Sequence, residues 1–135
     1  MQTYIGVKWV KAEPMEKDGK DGYKVVYPDG YESWSPKETF ESAYFQIEQE
    51  DRLTQKDIDN FLDMSCVTSY AGDDKTTVVR VGMPTGFVDW DFSSCVSPKN
   101  YNEDIGREIA LERIENRIWK MLGFVLQWGK YGLRI

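Results

Sequence analysis

Thr85–Phe124, TGFVDWDFSSCVSPKNYNEDIGREIALERIENRIWKMLGF, reads as a strand, a turn and the longest helix of the chain. Val88, Trp90 and Phe92 alternate with Asp89 and Asp91, so a strand places the apolar side chains on one face and the carboxylates on the other. The pattern predicts that the aromatic face is core and the carboxylate face wet. Ser97-Pro98 ends the strand, and Asn102 stands as N-cap before Glu103 and Asp104, whose charges suit the positive end of a helix dipole. Ile105, Ile109, Ile114, Ile118 and Leu122, with Ala110, Leu111, Trp119 and Met121, form a broad apolar stripe. A core-facing helix of about five turns is expected, with Lys120 in its last turn and Gly123 at its end.

Upstream, Thr54-Gln55-Lys56-Asp57 offers an N-cap with an acid three residues on, and Ile58, Phe61 and Leu62 mark one helical face. Cys66–Tyr70, then the β-branched Thr76–Met83, then Phe87–Phe92 predict a three-stranded antiparallel meander, joined at Ala71-Gly72-Asp73-Asp74 and Pro84-Thr85-Gly86. Val125–Ile135 reads as a helix extension or an irregular tail.

The beginning of the chain reads as a separate module. Thr3–Lys11 alternates as a half-buried strand, with Ile5, Val7 and Trp9 on one side. EPMEKDGKDG reads as a solvated loop, and Tyr23–Tyr27 and Tyr31–Trp34 as strands joined at Pro28-Asp29-Gly30. Ser35-Pro36-Lys37-Glu38 has the residues of a capping box, opening a helix whose buried face is Phe40, Ala43, Tyr44 and Ile47. The whole is predicted to be α+β and to form one compact unit: residues 1–47 as a β-β-β-α module, and 54–135 as a helix, the meander and a long C-terminal helix packed on the sheet.

Two resemblances are carried by these residues. Gly86-Phe87, Ser94-Cys95-Val96, Asn100-Tyr101, Ile105-Gly106, Ala110, Trp119 and Gly123 resemble the pattern of a family of small tailed-phage and prophage proteins, typified by a coliphage gene product 49 and a Shigella phage gene 66 product, over about residues 56–128. The resemblance implies a phage origin and no particular reaction. TYIGVKWVKAEPM, followed by DGYKVVYPDGYESWSPKETFESAY, resembles a segment found at the start of many Firmicutes prophage proteins, over about residues 3–44, with a shorter loop here. In those proteins it precedes several different second modules, one of them from a family of anti-defence proteins that sequester nucleotide immune signals. That module is not the one that follows here.

A chain of 135 residues, 41% hydrophobic, can bury one domain's core. No apolar run is long enough to span a bilayer and no secretory leader pattern follows Met1, so a soluble protein of the host bacterial cytoplasm is expected. Cys66 and Cys95 belong to no C-x-x-C motif and are expected reduced and buried. The net charge of −6 disfavours direct binding of duplex nucleic acid, whose phosphates call for a basic face. Eight acids between Glu38 and Asp63 face only Arg52 and Lys56. They read as solvated helix faces or as an acidic surface that steers toward a basic partner.

The chain has no histidine, and so lacks the commonest general base and metal ligand. No catalytic motif or cofactor fingerprint appears. Asp89 and Asp91 share a strand face and are the alternative metal ligands of a carboxylate-dependent hydrolase or nuclease. The aromatic residues point instead to binding. Tyr23, Tyr27, Tyr31 and Trp34 crowd a small module and are the candidate recognition residues, with Lys24 or Arg80 to meet the phosphates of a nucleotide. The function expected is that of a non-enzymatic phage accessory or counter-defence protein, with no cofactor, that binds a host or defence-system protein. Sequestration of a small nucleotide and a structural homodimer are the other binding alternatives.

Overall fold

A computed structural model describes residues 1–135. Its elements are β1 (Lys11–Pro14), β2 (Gly22–Val26), β3 (Glu32–Pro36), α1 (Lys37–Glu41), α2 (Gln55–Asp63), β4 (Cys66–Ala71), β5 (Thr76–Gly82), β6 (Val88–Ser94) and α3 (Glu103–Tyr131), with a 3-10 turn at Pro98–Asn100. The fold is α+β, with two antiparallel sheets ordered β1-β2-β3 and β4-β5-β6. Two compact units are distinct: Met1–Asp51 with Phe124–Ile135, and Arg52–Gly123.

In the first unit the hairpins set the register. Asp18 and Gly19 both adopt positive φ (52° and 77°), the conformation of a tight two-residue hairpin turn, and Lys17 and Lys20 bridge across it. Pairing then runs back from Met15, whose N–H donates to the Gly22 carbonyl at 2.9 Å, into Pro14↔Tyr23 and Lys11↔Val26. This corrects two expectations. The charged stretch taken for a loop holds a hairpin, and the first strand is Lys11–Pro14, whereas Thr3–Val10 pairs with nothing because the turn assigns the ladder to the residues nearest it. The turn at Pro28-Asp29-Gly30 is as expected: Tyr27 and Tyr31 pair through the Tyr27 N–H at 2.9 Å, and Gly30 has φ 89°.

Ser35 does not cap α1. It pairs with Tyr23, and the ladder continues to Gly22↔Pro36, which leaves Pro36 extended and starts the helix at Lys37. The helix is one short turn, and Ala43 is exposed rather than buried. Gly22 is required for contact: a Cβ there would lie 2.4 Å from the Ser35 carbonyl oxygen and from the Trp34 ring.

In the second unit Thr54 makes the expected capping box. Its hydroxyl accepts from the Asp57 N–H (3.3 Å), and the Asp57 carboxylate accepts from the Thr54 N–H (2.9 Å), which explains why an aspartate is tolerated at 1% exposure. Ile58 and Phe61 of α2, Val79 and Val81 of β5, Met83, and Ala110, Ile114 and Ile118 of α3 form the core. Each large side chain buried here contributes about 2 kcal/mol. Asn102 caps α3 through Oδ1, which accepts from the Ile105 N–H at 3.1 Å.

The buried row of α3 is Gly106, Ala110, Ile114 and Ile118, while Ile105 and Ile109, expected in the stripe, are exposed. Gly106 lets the helix approach β5 closely, since a Cβ would sit 2.5 Å from Thr77 Oγ1. Thr77 is itself fully buried; its hydroxyl shares a 2.7 Å hydrogen bond with Tyr101 and donates to the Glu103 carbonyl at 3.2 Å. Gly123 does not end the helix. It continues to Tyr131, where Gly132 at φ 67° donates its N–H to the Trp128 carbonyl.

Candidate binding face

The three strands β4, β5 and β6 present two faces, set by the register Ser69↔Val79↔Asp91 and Tyr70↔Val78↔Phe92. Val79, Val81 and Thr77 are buried on one face, and Asp89 and Asp91 lie on that same face. The orientation expected for the last strand is therefore reversed. The cause lies on α3: Arg117 donates from Nε to Asp89 Oδ2 at 2.7 Å and from Nη1 to Asp91 Oδ2 at 2.8 Å, and Arg113 Nη1 lies 3.6 Å from Asp91 Oδ1. Two carboxylates that meet guanidinium groups can sit against a helix, so the aromatic residues take the other side. Burial pushes the Asp91 carboxyl up, but the hydrogen bonds from Arg117 and the Phe92 N–H, with the charges of Arg117 and Arg113, hold it below the usual carboxylate range. The same pairs hold the Arg117 guanidinium more firmly protonated.

The outer face carries Tyr70, Val78 and Phe92 in one cross-strand row and Thr68, Arg80 and Trp90 in the next. Tyr70, Trp90 and Phe92 are 52%, 50% and 60% exposed. The Arg80 guanidinium lies 5.8 Å from the Trp90 ring centroid, within cation–π range. This is an aromatic surface with one cation and no carboxylate.

Of the other candidate residues, most are engaged within the first unit. Tyr23 stacks on Phe40 (4.3 Å between centroids), Phe40 stacks on Tyr44 (4.7 Å), and the Tyr23 hydroxyl donates to Glu41 Oε2 at 2.7 Å. That hydrogen bond to Glu41, with some burial, raises the Tyr23 hydroxyl above its ordinary range. Tyr44 is raised by burial and by Tyr27. Trp34 donates Nε1–H to the Met15 carbonyl at 2.7 Å, and Lys24 pairs with Glu32 at 3.4 Å. Tyr31 is 64% exposed, with its ring 5.8 Å from that of Tyr27. Arg80 belongs to the other unit.

No group of three or more Cys, Asp or Glu side chains is placed to hold a metal ion. Cys66 is exposed and Cys95 half-buried, against the expectation that both are buried, because Cys66 opens β4 on its outer face. No helix is long and apolar enough to cross a membrane.

Comparison with protein families decides the kinship: the model of the phage protein (N4 Gp49/phage Sf6 gene 66) family matches residues 53–129. The chain belongs to that family. No curated protein and no solved structure matches it. In this phage protein the residues that carried the resemblance include Tyr101, Gly106 and Ala110, which together enclose Thr77 or pack in the buried row of α3. They account for the inner side of the sheet, whereas Tyr70, Trp90 and Phe92, on the opposite side, keep half or more of their surface exposed.

Proposed function

We propose that this phage protein acts without catalysis, by binding a host or defence-system protein in the infected cell through the outer face of β4, β5 and β6. The observation that carries the reading is the exposure of Tyr70, Trp90 and Phe92 on neighbouring strands, with Arg80 beside Trp90. Aromatic residues and arginine are what protein interfaces concentrate at their energetic centres, and three half-exposed rings are more apolar surface than a strand's solvent side needs. The carboxylates that a metal-assisted hydrolase would use are held by Arg117 and Arg113. Sequestration of a nucleotide is less well supported, since one unpaired cation on this face is a poor match for several phosphates.

The test is native mass spectrometry of complexes formed in lysate of a susceptible host, comparing the wild-type chain with the double variant Trp90→Thr, Phe92→Thr. A host protein retained in simple stoichiometry by the first and lost by the second supports the reading. Equal retention by both moves the site elsewhere, and a retained mass of nucleotide size replaces the protein partner with a small ligand.

A further inference from the structure

The two edges of the β4–β6 sheet are finished differently. Along β6 the Phe87 carbonyl accepts from the Met83 N–H (2.8 Å) and the Cys95 N–H donates to the Lys75 carbonyl (2.9 Å), so odd-numbered residues pair inward and even-numbered ones point off the sheet. Those of Trp90 and Phe92, in the middle of the strand, are met by side chains. The Trp90 and Phe92 N–H groups donate to Asp89 and Asp91 Oδ1 at 2.9 and 2.7 Å, and their carbonyls accept from Arg117 Nη2 at 3.2 Å and Arg113 Nη1 at 2.8 Å. The polar cluster therefore closes this edge to a further strand.

β4 has no such cover. The Gly72 N–H donates to the Thr76 carbonyl at 2.8 Å, which directs even-numbered residues of β4 inward and leaves the backbone groups of Val67, Ser69 and Ala71 pointing away from β5. No strand pairs with that side. The sequence of β4, CVTSYA, contains no charge and no proline, the devices that usually protect an edge.

We propose that β4 pairs antiparallel with β4 of a second copy of this chain, about a two-fold axis at Ser69, to make one six-stranded sheet. The outward-facing set Val67, Ser69, Ala71 is symmetric about its middle member, so one register sets Ser69 against itself and Val67 against Ala71 of the second copy and satisfies every free backbone group of the set in both chains. Because the strand is uncharged, like meets like without repulsion. Thr68 and Tyr70 then face each other across the junction on the outer side. The two aromatic faces join into one surface, twice the width available to a partner. The pairing does not depend on the function proposed above.

The test is the solution mass by light scattering, from low to high micromolar concentration, with amide hydrogen exchange on the same samples. A mass rising from 15.7 kDa to twice that value, with slowed exchange at Val67, Ser69 and Ala71, is expected. Thr68→Lys, at an exposed position, places two like charges diagonally across the junction and is expected to weaken the dimer about two- to fivefold. Ser69→Pro removes an outward N–H, which an edge strand tolerates, and should give a folded single chain. A single-chain mass at every concentration overturns the proposal, as does a dimer indifferent to Thr68→Lys. Protection of those three amides only when another protein is added overturns the second copy as the occupant.

Discussion

The inner and outer faces of the β4–β6 sheet are built from the same strands, yet only the inner one is finished by contacts within the chain. Val79 and Val81 are fully buried there and Thr77 has its hydroxyl satisfied, while Tyr70, Trp90 and Phe92 on the other side remain half exposed or more. The difference teaches that size and hydrophobicity alone do not choose the buried face. In β6 charge complementarity to α3 chooses it, and the larger apolar groups are turned outward.

On that division the largest effects come from the inner side. Ile114→Ala should lower unfolding stability by about 2–5 kcal/mol, since it leaves a cavity in a fully buried row. Urea or thermal denaturation measures it, and a loss under half a kilocalorie would mean that this row is not packed as described. Gly106→Val should cost roughly 1–3 kcal/mol, because the added atoms collide with Thr77 across the tightest approach of helix to sheet. The double variant Gly106→Val, Thr77→Ala should recover part of that loss, and independence of the two changes would break the contact argument.

Arg117→Gln should cost less, about 1 kcal/mol, because the arginine is still 43% exposed and its charges are screened. This effect should depend on pH. The folded-state carboxyl of Asp91 titrates below its unfolded value, so its contribution to stability is fully present above that unfolded value and is lost as pH falls through the folded one. The difference between wild type and Arg117→Gln should therefore narrow on acidification below about pH 4, and a constant difference would remove Asp91 from the account. The smallest effect is expected on the outer face. Trp90→Thr and Phe92→Thr should each change stability by less than about 1 kcal/mol, the size of an exposed cation–π or cross-strand contact, while altering association. A large loss of stability from either would mean that the outer face is also core.

Much of the fold was readable because its signals are local. The Thr54–Asp57 capping box, the Asn102 cap and the turn at Pro28-Asp29-Gly30 each depend on residues within a few positions of one another. The meander followed from alternation and its turns. The first strand is the exception: Thr3–Lys11 alternates well without pairing, whereas Asp18-Gly19, a sufficient hairpin signal, lies inside a charged stretch that resembles a solvated loop.

The candidate face was hidden for a different reason. Alternation fixes which residues share a side, but the choice of side rested on Arg117, which follows Asp89 and Asp91 by 28 and 26 residues. A signal for it was present. Carboxylates two apart on a strand are spaced about 6.6 Å and arginines four apart on a helix about 6 Å, so Asp89/Asp91 and Arg113/Arg117 are matched in length as well as charge. The charge of Arg80 is visible in the sequence, whereas alternation alone places its neighbour Trp90 in the core and gives Tyr70 no distinguishing mark.

The exposed indole of Trp90 also gives the face its own optical signal. Trp9, Trp34, Trp119 and Trp128 are all partly shielded, and Trp9 and Trp34 have their ring N–H groups bonded to carbonyls. Trp90 is the most exposed of the five tryptophans, so its fluorescence should lie furthest to the red and be the first quenched by a small neutral collider. Anything that settles over β6 should shift that emission to shorter wavelength and shelter it, which lets occupancy be followed in real time without a label.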